Sequence, residues 1–377
     1  MILLALPALA AAAYSLLALI AAASWSRRQP PATSPFTPPL SILKPVHGRD
    51  PRFYEAIRSH AEQDYPEFEI LFGVSHPKDP AIGDIERLRR DFPKLAISLH
   101  VVSTSAPNVK AGVLAALAVE ARHPVLLVND SDIKVDSGYL RTVAAGLADP
   151  KIGLVTCLYR AAADSLPSRA EALGIATEFA PSVLVARLLG VAEFALGSTM
   201  AFRAETLREI GGFQAISDYL ADDYQLGNHI SRRGYRILFA SSVVETNLGG
   251  GTWGEVWRHQ LRWSRTIRAS RASGYYGYVV THATLWALVA CAAGQWWAAA
   301  AALSLRMAAG VWIGAGILGD RNAALWFWMI PLRDLFGFAV WVGGLAGNTV
   351  DWRGQVLKLQ PDGKICKAPN PDPDCLP

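Results

Sequence analysis

Charged residues are scarce in this chain: Asp, Glu, Lys and Arg make up 18% of its 377 residues, hydrophobic ones 51%, and mean hydropathy is +0.21. Their near balance, a formal net charge of +4, gives no global preference for an anionic partner. Cysteine is scarcer still. Cys157, Cys291, Cys366 and Cys375 stand at no metal-ligand spacing, which excludes a cysteine-based zinc site. Cys366 and Cys375 could pair only if the tail faced an oxidising compartment. No nucleic-acid motif is present, so nucleic acid is not an expected partner. There is no internal repeat. Nor do positive charges precede the first apolar run, where a cleaved signal peptide would carry them.

What the chain has instead is apolar sequence at both ends. "MILLALPALAAAAYSLLALIAAASW" (1–25) contains no charge and is followed by Arg27-Arg28. Roughly 20 apolar residues in a helix cross a hydrocarbon core. Basic residues just after the run favour a retained anchor, with the following chain in the cytoplasm. Residues 26–39 form a linker too rich in proline for a helix or a central strand. Residues 274–350 hold enough apolar sequence for about three transmembrane or interfacial helices, with Trp and Tyr near their ends. Arg306, Arg333 and Asp334 fall within or beside these runs, placed either to snorkel or to serve a lipid site. The basic stretch "RHQLRWSRTIRASR" suits anionic headgroups. Residues 351–377 read as a polar, disordered tail.

Between these ends, residues 40–273 read as one α/β domain. The β-like runs "LSILK", "EILFGV", "AISLHVV" and "VLLV" alternate with helical patterns at 53–62, 82–90 and 109–120. Such alternation predicts a mostly parallel sheet covered on both faces, with ligands beyond the carboxyl ends of its strands. "VLLV" ends on Asn129-Asp130-Ser131-Asp132. A DxD triplet by itself is an ordinary surface turn. At a strand end it becomes a candidate site, because close carboxylates repel unless a cation lies between them. Further on come Asp222-Asp223 in "LADDY" and then "HQLRW", His259–Trp263. Aspartates at a helix N-terminus also serve as caps, so "LADDY" carries a structural reading beside a catalytic one.

Taken in order, these pieces resemble the membrane-bound family 2-type glycosyltransferases of GT-A fold, with their DxD-like motif, E/D-D pair and Q/RxxRW motif. "SILKPVHGRDP", "SHAEQDYPEFEILFGV", "NDSDIKVDSGYL", "LADDYQLGNHISRRGYR" and "TNLGGGTWGEVWRHQLRWSRTIR" resemble the ceramide glucosyltransferase-like branch over about residues 38–355. Within that branch the chain looks most like the bacterial hopanoid-biosynthesis glycosyltransferases. The resemblance implies a Rossmann-like GT-A domain and a UDP-sugar donor. A divalent metal, Mg²⁺ or Mn²⁺, would lie on Asp132 and Asp130, with Asp130 toward the sugar or ribose. Asp223 would be the general base beside Asp222. Arg262 would face the leaving diphosphate and Trp263 the acceptor opening.

Donor contacts are implied at Lys44, Pro45 and His47 after the first strand, and at Asn108 and Lys110 in "NVKAG". After "FGV" the family commonly has an Asp that reads the uracil, and here Ser75-His76 stand instead. Either Asp79 takes over that role or no carboxylate reads the base. His259 stands where the motif has Gln or Arg. Trp253, after the glycines of "NLGGGTW", would close over the donor, unless this stretch is a plain turn. "EFAPSVLVARLLG", with Glu178, would guide the acceptor or simply pack in a core.

The expected protein is thus an integral membrane enzyme of the bacterial inner membrane with a cytoplasmic catalytic domain. It would transfer N-acetylglucosamine, with inversion, from UDP-N-acetylglucosamine to bacteriohopanetetrol in the bilayer. Two alternatives stand beside this. One is glucosylation of ceramide from UDP-glucose. The other is a catalytically inactive membrane protein that binds nucleotide or lipid.

Overall fold

The computed structural model describes residues 2–27, 35–352 and 354–367. Half of the proline-rich linker, residues 28–34, and the last ten residues of the tail lie outside the described residues.

Seven strands form the central sheet: β1 (Leu40–Val46), β2 (Phe68–Val74), β3 (Ala96–Val101), β4 (Val125–Val128), β5 (Ile152–Ala162), β6 (Met200–Arg203) and β7 (Arg236–Asn247). Their order is β3-β2-β1-β4-β6-β5-β7. All pairings are parallel except those of β6, which runs against both β4 and β5. The apolar runs become strands because both faces are covered. Every residue of β4 is buried, as are six of the seven in β1. From β1 the chain steps outward to β2 and β3 and then returns to β4 on the other side. The crevice between the carboxyl ends of β1 and β4 is therefore a topological switch point, where open α/β sheets bind ligands.

Helix α1 (Leu6–Arg27) opens the chain, and α2 (Phe53–Ala61), α3 (Ile82–Asp91), α4 (Val109–Glu120) and α5 (Tyr139–Gly146) follow β1 to β4 in turn. After β5 come α6 (Leu166–Gly174), a wide π-helical turn over Ile175–Phe179, and α7 (Ala180–Leu188). Next, α8 (Ala204–Glu209) and α9 (Asp222–Arg232) join β6 to β7. Phe53, Ile57, Ile85, Leu88, Tyr139 and Val143 from α2, α3 and α5 fill one face of the sheet. On the other face Val113, Leu117, Leu173, Val183 and Ile230 pack in one core with Ala18, Ala21 and Ala22 of α1. The C-terminal part of α1, expected as a membrane anchor, thus packs into the domain's core.

Beyond β7 lie α10 (Trp253–Ser270), α11 (Ala272–Gly277), α12 (Ala283–Ala292), α13 (Trp296–Val311), α14 (Arg321–Leu325) and α15 (Ile330–Leu345). Two helices among the described residues, Leu3–Arg27 and Trp296–Ile317, are long and apolar enough to cross a membrane. The other two expected C-terminal spans are shorter. At 1.5 Å per residue, α12 and α15 reach only about 15 and 24 Å, short of a hydrocarbon core. The ionisable residues there neither snorkel nor stand alone. Arg306 Nη2 lies 2.6 Å from Asp334 Oδ1, both side chains almost fully buried. Arg333 Nη1 lies 3.1 Å from Glu178 Oε2.

The expected disordered tail needs correction. Residues 349–367 contain β8 (Thr349–Trp352), β9 (Gln355–Leu359) and β10 (Ile365–Lys367), a small antiparallel sheet. Its alternate residues Val350, Leu357, Leu359 and Ile365 bury a shared apolar face, a signal too short and sparse to stand out among polar neighbours.

Candidate active site

The short β4 delivers Asp130 and Asp132 to the switch point, and Asn129 fixes where the strand stops. Asn129 is fully buried, and its Nδ2 donates to Ser198 O at 2.7 Å and to Tyr139 Oη at 2.9 Å. Because β6 runs antiparallel beside β4, the residues entering β6 arrive at the same edge of the sheet. Gly197 is one of them. Its N–H donates to Asp223 Oδ2 at 2.9 Å. A Cβ placed there would stand 3.0 Å from Asp130 Oδ2, 3.4 Å from Asp223 Oδ2 and 3.7 Å from Lys110 Nζ. One backbone position therefore touches three of the expected site residues.

Lysines draw the carboxylates together. Lys110 Nζ lies 2.7 Å from Asp130 Oδ1 and 3.1 Å from Asp222 Oδ2. A lysine in the first turn of α4 opposes the helix dipole, and two carboxylates offset that cost. Asp222 and Asp223 occupy the first turn of α9, which the dipole favours, and Asp223 Oδ1 accepts from Tyr224 N at 2.7 Å within that turn. Lys44, fully buried in β1, donates from Nζ to Asp130 O at 3.0 Å. The Thr246 hydroxyl, at the end of β7, donates to Asp132 Oδ2, and the Ser131 hydroxyl to Asp50.

Burial and mutual repulsion set the protonation of this cluster. Burial first, and then the Asp130 charge, raise Asp132 to about 6. Burial and Asp222 likewise raise Asp223 to about 6, against the pull of Lys110. Burial lowers Lys44 to about 7 although Asp132 and Asp130 oppose it. Burial works to lower Lys110 too, but Asp130 and Asp222 outweigh it and hold the ammonium above its ordinary value. Raised carboxylates at the rim of a sheet describe a site with an excess of negative charge.

The other expected residues are distributed differently. Asp79 is buried and committed to backbone: Oδ2 accepts from Gly48 N and Oδ1 from Ala81 N, both at 2.9 Å, holding the loop that carries His47 just after Pro45 near the end of β1. His47 itself is exposed. Asn108 caps α4 by accepting from Ala111 N at 3.0 Å. Trp253 is 49% exposed and leans on Phe336 of α15, with ring centroids 6.1 Å apart. The glycine loop before it is tied down on both sides, since Asp164 N donates to Gly249 O and Gly251 N to Ser168 Oγ, each at 2.9 Å.

On α10, Arg262 is half-buried, and Trp263 meets His259 in a tilted pair with ring centroids 4.6 Å apart and Phe179 at 6.3 Å. Phe179 in turn meets Tyr159 at 5.6 Å. Tyr159 returns to the carboxylates: after burial, the charges of Asp223 and Asp130 raise its phenol. An aromatic row thus runs from the motif helix through Phe179 to Tyr159 of β5. His259 Nδ1 is engaged by Glu171 Oε1 at 2.6 Å. The same oxygen accepts from Gln260 Nε2 at 2.9 Å, and Gln260 Oε1 accepts from Arg333 Nη2 at 2.9 Å. Sequence reasoning passed over Gly197, Thr246, Tyr159 and Glu171. A signal existed only for Thr246, which stands three residues before the first glycine of "NLGGG".

A mostly parallel α/β sheet, an acidic cluster at its switch point and two attached helices long and apolar enough to cross a membrane together fit a GT-A-type glycosyltransferase. The chain belongs to Glycosyl transferase family 21, whose model matches residues 1–365. Among solved structures it is similar to the mannosyltransferase PcManGT from Pyrobaculum calidifontis in complex with GDP-Man and Mn²⁺. That likeness has a TM-score of 0.53 and 20% identity, and covers 91% of this chain and 97% of the other. At that identity the likeness speaks for the fold. Ceramide glucosyltransferase 3 of Caenorhabditis elegans is 28% identical over 213 residues, 56% of this chain and 46% of the relative. Ceramide glucosyltransferase of Komagataella phaffii is 31% identical over 121 residues, 31% of this chain and 24% of the relative. The chain therefore matches less than half the length of either curated relative.

Proposed function

We propose that this protein transfers a sugar from a UDP-sugar to a hydroxyl of a membrane lipid. The observation that carries the reading is the position of Asp223. It is a carboxylate raised toward neutrality, held by Gly197 N, beside the Lys110–Asp130 pair at the sheet's switch point. Such a carboxylate has the proton affinity a general base needs near neutral pH. With one base and no second carboxylate assigned as nucleophile, the lipid oxygen attacks the anomeric carbon directly. The C–O bond to the diphosphate breaks, the hydroxyl proton passes to Asp223, and the configuration inverts. Lys110 and Arg262 are the cations for the diphosphate, Trp263 the wall toward the acceptor, and Lys44, Pro45, His47 and Asn108 the nucleotide side.

A divalent metal fits this site. Among the described residues no group of three or more His, Cys, Asp or Glu side chains is disposed to hold an ion. Mg²⁺ and Mn²⁺, however, need only one or two protein carboxylates when substrate phosphates complete the shell. Asp132 and Asp130, whose repulsion raises Asp132, supply those two. The metal's contribution would be to neutralise charge on the departing diphosphate. PcManGT, described in complex with Mn²⁺, supports a divalent ion here.

The motif set supports N-acetylglucosamine transfer to bacteriohopanetetrol, in a bacterial inner membrane with the catalytic domain on the cytoplasmic side. The ceramide glucosyltransferase relatives favour a second reading, ceramide with UDP-glucose. Detergent-purified protein is to be given each donor with each lipid, with and without Mn²⁺ or Mg²⁺. A glycosylated hopanoid that disappears with EDTA and in Asp132→Ala supports the first reading, and glucosylceramide the second. No product from any pair overturns both, leaving the inactive binding protein.

A further inference from the structure

The small C-terminal sheet converges on the loop that presents Asp222 and Asp223. Ile365 N donates to Asp218 O at 2.7 Å, and Lys364 pairs with Tyr219 in an antiparallel bridge, its Nζ 5.8 Å from the Tyr219 ring centre. Leu220, the next residue, is buried among Val350, Leu357, Leu359 and Ile365. The opposite side of the loop is bonded to the start of α4. Asn108 N donates to Ser217 O at 2.9 Å and Asn108 Nδ2 to Tyr219 O at 2.8 Å. The sheet is in turn fixed to α10. Arg265 donates to Ala346 O at 3.1 Å and Thr349 O at 2.7 Å, and Arg268 to the carbonyls of Leu345 and Gly347.

These contacts place residues 217–221 between the helix of Lys110 and a sheet riveted to the helix of Arg262 and Trp263. Two facts make the arrangement consequential. Consecutive Cα atoms are about 3.8 Å apart, so little slack separates Leu220 from Asp222 and Asp223. And α9 begins at Asp222 without a side-chain cap from Ala221. Beside the local bond from Tyr224 N to Asp223 Oδ1, the apolar socket around Leu220 is the tertiary contact immediately before the helix start.

We propose that β8–β10 is a positioning element for the catalytic carboxylates. Leu220 is its point of contact and sets where Asp223 stands relative to Gly197 and Lys110. Leu220 touches neither donor nor acceptor and acts on turnover through the loop alone. This rests on the transferase reading, with Asp223 as base.

The test uses the full-length chain carrying Leu220→Ala or, independently, Ile365→Ala, with Leu220→Met as the conservative variant. Either alanine lowers kcat at least about ten-fold, as misplacement of a reacting group does. KM for the UDP-sugar moves less than about three-fold, and Leu220→Met recovers most of the turnover. Amide hydrogen exchange speeds up at residues 221–224 and stays unchanged in β4. Faster loop exchange with unchanged kcat overturns the proposal, as does exchange that does not move. A lowered kcat with faster exchange throughout the sheet also overturns it, because that is general destabilisation. If the unmutated chain turns over no lipid, the transferase reading fails, and exchange at 221–224 decides alone whether the sheet holds the loop.

Discussion

Lys110 Nζ stands 2.7 Å from Asp130 Oδ1 and 3.1 Å from Asp222 Oδ2, so one side chain ties the end of β4 to the start of α9. Lys110→Met leaves that cluster of carboxylates with one cation fewer. Breaking a largely buried pair costs on the order of 3 kcal/mol. The expected outcome is a lower midpoint of thermal unfolding and a UDP affinity reduced at least ten-fold. Unchanged affinity in isothermal titration would remove Lys110 from the donor site.

Activity should fall on acidification. A general base acts only when ionised, and Asp223 is raised to about 6 by burial and Asp222. The kcat profile therefore rises from pH 5 to pH 7 with a midpoint near 6, and the base is lost as pH drops below it. In Lys110→Met the charge opposing that rise is gone, and the midpoint moves to higher pH. Asp223→Asn loses about 10²–10⁴-fold in turnover while retaining UDP binding. A profile flat from pH 5 to 7 would exclude this carboxylate as the base.

Metal dependence should reside in Asp132. Asp132→Ala removes one of the two carboxylates at the end of β4, the one that burial and the Asp130 charge raise. Mn²⁺ binding followed by paramagnetic resonance in the presence of UDP should weaken at least ten-fold, as expected when one of few ligands is removed. Retained binding with abolished activity would assign Asp132 another role.

The Arg306–Asp334 pair tests the membrane-side packing. Both side chains are almost fully buried, and Asp334 Oδ2 also accepts from Thr284 Oγ1 at 2.9 Å. Asp334→Leu leaves Arg306 uncompensated and should destabilise by about 3–5 kcal/mol, whereas Arg306→Met with Asp334→Leu should regain most of it. Thermal unfolding in detergent compares the two. Equal losses would mean that the pair is not what the helices depend on.

Much of the catalytic domain was legible because its signals are local. "VLLV" and "LSILK" are continuous apolar runs that only a doubly covered sheet accommodates, and helix 109–120 was readable from its helical pattern. The acidic cluster was legible as residue types at strand and helix ends. What remained hidden was set by tertiary contact. Gly197 is important only because β6 runs antiparallel to β4. That Glu171, far away in sequence, anchors His259 through Nδ1 could not be read from the motif. The last sheet was missed because its apolar residues are few, and their partner Leu220 lies far upstream in the acidic loop.

The bonds running from Arg333 through Gln260 and Glu171 to His259 bear on how this protein can be handled. Gln260 is buried, and Glu178 depends on Arg333 for its counter-ion. Cutting away the last helices to obtain a soluble fragment would strip both groups of their partner in places water does not reach, a loss that buried polar groups do not tolerate well. The membrane portion is not a mooring from which the catalytic domain can be untied.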